Sequence, residues 1–193
     1  MNIAHVEKAI TLHSAVLNRD PDIKNIIDAH LNRHFGSHER ADEFLDLVED
    51  MDGEQFWTIL HSQWSGFDAI DHFRMEQVIN AFGCDWSVEY LDEVDRAFYD
   101  TLPEMVTIYR GQSAQSMLGL AWTTDYEVAK GFALGHRGYC CPDPVIIKGT
   151  IAKRDVAGAY ANREESEILL FNTNDAEVIE RIEIPPRDAT SAT

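Results

Sequence analysis

Two glutamates, Glu165 and Glu167, stand one residue apart at the mouth of an apolar run, Ile168–Phe171. A strand beginning near Glu165 turns both carboxylates to one side, because side chains alternate along a strand. A solvated strand end tolerates two such acids at little cost. Paired carboxylates also equip a site for displacement at an anomeric carbon. One stabilises an oxocarbenium-like sugar, and the other serves the attacking group. Glu164 adjoins the pair, but only Glu165 and Glu167 satisfy Glu-x-Glu.

Arg110 is the second group with chemical potential. It closes the β-rich run Val106–Tyr109 and precedes Gly111. An arginine fork at a strand end, beside a glycine that admits close backbone approach, can hold a phosphate; an ordinary surface arginine looks the same in sequence. The third segment is Ala121-Trp122-Thr123-Thr124-Asp125. Its hydroxyls lie just before a helical pattern that Thr124 or Asp125 can cap.

Other candidates are weaker. His30, His34 and His38 are four apart, but Gly36 interrupts the face they would share. No carboxylate nearby completes a metalloprotease pattern, so they read as surface histidines and not as a metal site. Cys140 and Cys141, with His136 and Arg137 close by, lie in a loop marked by Gly138, Pro142 and Pro144. A thiol nucleophile needs a base and an electropositive setting; reduced structural thiols fit better. Three cysteines, two of them adjacent, make neither a disulfide framework nor a zinc spacing.

These residues need positioning elements, and the chain changes texture to supply them. Residues 1–102 read as an acidic helical region. Helices are expected over His5–Leu17, from Asp20-Pro21-Asp22 to Gly36, from Ser37 to Met51, around Phe56–Trp64, over Phe67–Phe82 and over Val88–Leu102. Residues 103–185 are dominated by strands: Val106–Tyr109, Val145–Ile151, Glu167–Phe171 and Glu177–Ile184, with one helix over Asp125–Leu134 capped by Asp125. Residues 186–193 read as a disordered polar tail. Segregated helices and strands predict an α+β fold.

The formal net charge is −18, with 21 acids and 7 bases in residues 1–100 and 13 acids and 9 bases in the remainder. That field disfavours phosphate backbones and favours a basic partner or plain solubility. No run approaches the ~20 apolar residues of a membrane span, and the first twenty residues lack a signal core. A cytoplasmic location is the default expectation.

The order Tyr109-Arg110-Gly111, then Ala121-Trp122-Thr123-Thr124, then Glu165-Ser166-Glu167-Ile168-Leu169-Leu170 resembles the arginine–serine–glutamate class of ADP-ribosyltransferases, the group that includes cholera toxin. The likeness covers about residues 104–184. The middle motif departs from Ser-Thr-Ser, so Thr123 and Thr124 both stand as its supporting hydroxyl. The resemblance implies two packed β-sheets around an NAD⁺ cleft and a toxin-like mono-ADP-ribosyltransferase with no metal. It implies that Arg110 binds the phosphates or adjoining ribose of NAD⁺ and that Gly111 offers backbone hydrogen bonds to nicotinamide. Tyr126 or Phe132 would stack on that ring. Glu167 would stabilise the oxocarbenium-like ribose, Thr123 or Thr124 would hold Glu167, and Glu165 would deprotonate the acceptor. A first acid in Glu-x-Glu goes with arginine of a protein as acceptor. A nucleic-acid base as acceptor, NAD⁺ hydrolysis, or an inactive interaction module of the same fold are the alternatives.

Overall fold

The computed structural model describes residues 14–16, 19–136, 141–161 and 165–185. Of the helix expected over His5–Leu17, only residues 14–16 are among them, and these are helical. The tail 186–193, together with Arg137, Cys140 and Glu164, lies outside them. The chain forms two compact units, Met1–Asp92 and Glu93–Thr193. No helix among the described residues is long and apolar enough to cross a membrane.

The first unit is helical. Its helices include α1 (Ile23–His34), α2 (Arg40–Leu47), α3 (Gly53–Gln63) and α4 (His72–Ala81), with short 3₁₀ turns following α2, α3 and α4. Helix α1 starts at Ile23, after a turn over Asp20-Pro21-Asp22 in which the Asp20 carboxylate accepts the Asp22 N–H at 2.9 Å. Helix α2 begins at Arg40 and not at Ser37, and it passes into a 3₁₀ turn at Val48. The preceding helical run ends before Asp52, and Asp52-Gly53 starts α3. The Asp52 carboxylate accepts from Gln55 N–H, and the Gln55 amide answers from the other side in a capping box. Ile27, Leu31, Phe44, Phe56, Ile59, Leu60, Met75 and Ile79 are all fully buried. Phe56 stacks on Phe82 with ring centroids 4.4 Å apart. Asp28 ties α1 to α3 by accepting from Ser62 Oγ at 2.9 Å and Gln63 Nε2 at 2.7 Å.

His61, on α3, is buried with its ring stacked on Trp57. Burial lowers its pKa from 6.5 to about 3. The neutral form therefore persists in the folded chain while the unfolded chain takes up a proton. Stability is fully present above pH 6.5 and is lost as pH falls from there toward 3. Between pH 7 and pH 5 the first unit loses about 2 kcal/mol through this group alone, at roughly 1.4 kcal/mol per pH unit. Urea unfolding at the two pH values checks this against His61→Phe, which lacks the titration; equal losses in both proteins would remove His61 as the cause.

The helix expected over Val88–Leu102 is two pieces. A 3₁₀ turn at Val88–Tyr90 ends at an extended Leu91, and α5 (Glu93–Thr101) then begins the second unit. That unit is an α+β assembly: six antiparallel strands with α5 and α6 (Tyr126–Ala133). The strands are β1 (Met105–Ser113), β2 (Ala121–Thr123), β3 (Pro144–Ala152), β4 (Val156–Tyr160), β5 (Glu167–Leu170) and β6 (Glu177–Glu183), in the order β4-β5-β2-β1-β3-β6. They hydrogen-bond as one sheet, where two were expected. The join between its halves is narrow. β1 and β2 share a single register pair, Tyr109 with Thr123, whereas β1 and β3 share nine.

β4 has no counterpart in the sequence reading. Its residues, Val-Ala-Gly-Ala-Tyr, are all buried. A strand covered on both sides shows no alternation, and alanine and glycine carry little β signal.

Gly111 is required by packing. A Cβ there would lie 1.8 Å from the Ala129 carbonyl oxygen and 2.6 Å from the Ala133 nitrogen. Helix α6 therefore lies directly on the β1 backbone, over a small core of Ala129, Ala133 and Ile146. Gly111→Ala is expected to destabilise the second unit by about 3 kcal/mol, since backbone cannot yield as a flexible side chain does. For a unit of this size that lowers the melting temperature by roughly 10 °C or more. A melting temperature within 2 °C of the parent, on the order expected of a surface change, would place α6 elsewhere.

Candidate functional site

Strand β2 gathers the residues singled out above. Thr123 faces Glu167 of β5 on one side and Tyr109 of β1 on the other. Glu167 in turn faces Tyr160 of β4, and Tyr109 faces Lys148 of β3. Register partners share a face, so Tyr160, Glu167, Thr123 and Tyr109 form one row across the sheet.

Thr123 is 5% exposed, and its hydroxyl does two jobs. It donates to the Glu165 carbonyl, and it accepts from the Asp125 N–H at 3.0 Å. Thr124 contributes its backbone, donating N–H to the Ser166 carbonyl at 3.0 Å. The two threonines thus divide the work: Thr123 grips with its side chain and Thr124 with its main chain. Asp125 caps α6, accepting from the Glu127 and Val128 amides, so the start of that helix and the Glu165 segment are bound to the same hydroxyl.

The expected alignment of Glu165 and Glu167 is corrected. β5 begins at Glu167, and Ser166 adopts a φ of 44°. A left-handed residue between the two glutamates breaks the period-two alternation on which a shared side depended. A non-glycine residue in that region costs about 1 kcal/mol, and the bonds from Thr123 and Thr124 hold the segment there. Both glutamates are half-buried.

Arg110 does not end its strand. Pairing with β3 carries β1 on to Ser113, opposite Pro144, so Arg110 is interior to it. Its Nε donates to Gln112 Oε1 at 2.9 Å, and its Nη1 donates to the Ala121 carbonyl at 2.5 Å. The guanidinium spans from β1 to β2 beside their one register pair, continuing the join where the backbone ladder stops. Gln112 is buried and braces the loop with Nε2 on the Ser116 carbonyl at 2.8 Å.

The two candidate aromatic residues diverge. Tyr126 meets Tyr109 edge-on, with centroids 5.6 Å apart, next to the row that holds Glu167. Phe132 sits at the other end of α6, against His136 at 5.2 Å. Its carbonyl faces Cys141 Sγ at 3.7 Å. His30 bonds to Glu43 at 3.0 Å and lies against the His34 ring, and no group of three or more potential metal ligands occurs among the described residues. Tyr160, Gln112 and Asp95 were not singled out by sequence. Spacing does not mark Tyr160 or Asp95, which join through the ladder and one long-range bond, whereas Gln112 lies two residues from Arg110 on the same strand face, a spacing that could have found it.

No family model, curated protein or solved structure matches the chain.

Proposed function

We propose that the chain is a mono-ADP-ribosyltransferase that moves ADP-ribose from NAD⁺ to arginine of a protein. The observation that carries this reading is the seat of the Glu-x-Glu segment on β2: Thr123 opposite Glu167, with its hydroxyl on the Glu165 carbonyl. This register favours reading the hydroxyl motif forward from Thr123, as Thr123-Thr124-Asp125. The single-pair join of β1 and β2 favours treating the sheet as two three-stranded halves, β4-β5-β2 and β1-β3-β6. NAD⁺ then lies where the halves part, with Tyr126, next to Tyr109, on the nicotinamide, and with Arg110, which leaves β1 on the face opposite Tyr109, reaching the phosphates or ribose across that gap.

The chemistry needs no general acid. The bond between nicotinamide and ribose breaks with its electron pair passing to the ring nitrogen, so nicotinamide leaves neutral. Positive charge develops on the ribose, and Glu167 favours that state over the ground state. The acceptor nitrogen attacks the anomeric carbon, and its proton passes to Glu165. An arginine acceptor also suits a chain of net charge −18.

Incubation with NAD⁺, with free nicotinamide measured, tests the first half of the proposal. A cell lysate with NAD⁺ labelled in its ADP-ribose tests the second. Label is expected in protein and sensitive to reagents that cleave arginine adducts. Label in nucleic acid would change the acceptor, nicotinamide release without label would make the protein a glycohydrolase, and no release would leave a binding module.

A further inference from the structure

Asp95 is a carboxylate outside the chemistry above, and it is only 4% exposed. It sits on α5 and accepts the Ala161 N–H at 2.8 Å. Burying a carboxylate is costly unless hydrogen bonds answer it; this bond answers part of that cost at a particular place. Ala161 directly follows Tyr160, and Tyr160 is the register partner of Glu167. The bond therefore fixes the strand end at which the β4–β5 hairpin opens. The opposite arm is fixed by Thr123 on the Glu165 carbonyl and by Thr124 N–H on the Ser166 carbonyl. Tyr160 lies back along its own strand, with its hydroxyl 2.6 Å from where a Gly158 Cβ would stand. Burial, with the charges of Glu167 and Asp95, raises its pKa well above the usual phenol value, so the ring stays neutral between two carboxylates.

We propose that Asp95 is a positioning residue for Glu167: by holding the Ala161 N–H it sets the end of β4 against which Glu167 is registered. This role rests on the reading of Glu167 given above. The test compares Asp95→Ala and Asp95→Asn with the parent, by hydrogen exchange and by nicotinamide release. In Asp95→Ala, exchange at the Ala161 and Thr124 amides is expected to rise at least about tenfold, the factor corresponding to loss of roughly one hydrogen bond. The Leu170 amide, bonded to Leu120 at the far end of β5, stays near the parent rate. The turnover number falls at least about tenfold while KM for NAD⁺ holds, as for loss of an effect confined to the transition state. Asp95→Asn restores both, since its amide oxygen accepts the same bond. An equal rise at Leu170 would show general destabilisation and overturn the proposal. So would an unchanged Thr124 amide, or an Asn variant as impaired as Ala. A parent that releases no nicotinamide would overturn the enzymatic role of Asp95 together with that of Glu167. A flat exchange profile would overturn the anchoring alone.

Discussion

Glu167→Gln is expected to lower nicotinamide release from NAD⁺ by about 10²–10³, the usual effect of removing one electrostatic stabiliser of a charged transition state. The substitution keeps shape and deletes charge. Glu167 takes its place in the sheet through its main chain, opposite Thr123 and Tyr160. The ladder does not depend on the carboxylate, so the variant should fold and melt near the parent temperature. Binding of NAD⁺ should change little, because the carboxylate acts mainly on the positive charge that forms as the bond breaks. Release within threefold of the parent would sink the assignment of Glu167. A large fall in melting temperature would instead identify it as a structural carboxylate.

Glu165→Gln is expected to abolish labelling of the target while slow NAD⁺ hydrolysis continues. Both reactions share the cleavage step, but only transfer needs a base to orient and deprotonate a guanidinium, which is cationic at neutral pH. Water needs far less help at so reactive a centre. Thr123 holds the main-chain carbonyl of Glu165, which the substitution leaves in place. The segment should keep its seat when the carboxylate is neutralised. Because Ser166 is left-handed, the period-two alternation between Glu165 and Glu167 is broken. Loss of labelling is expected to exceed about 100-fold, in the range of a general base. Paired measurement of free nicotinamide and target-bound label on one preparation decides it. Parallel loss of both would tie Glu165 to bond cleavage, and survival of both would leave it a half-buried acid without a part in the chemistry.

Much of the second unit was legible in its residues. β3 and β5 follow from their β-branched and leucine-rich runs, and α6 from Asp125 followed by an apolar face. Local chemistry fixes such elements, because caps and side-chain periodicity act over only a few residues. The order of Arg110, the threonines and the two glutamates is read directly along the chain. Tertiary structure decided what those signals cannot carry. Arg110 lies inside β1 because β3, more than thirty residues downstream, supplies partners as far as Ser113. Thr123 is distinguished from Thr124 by which hydroxyl faces the Glu165 carbonyl, a matter of register between β2 and β5. β4 is held by its ladder with β5, and the bond from Asp95 to Ala161 forms because α5 packs against β4. Gly111, read as an approach for a ligand, is needed first for the approach of α6. Sequence periodicity records which face of an element is apolar, while register and close approach depend on which element arrives opposite it, and that is set only when distant segments pack.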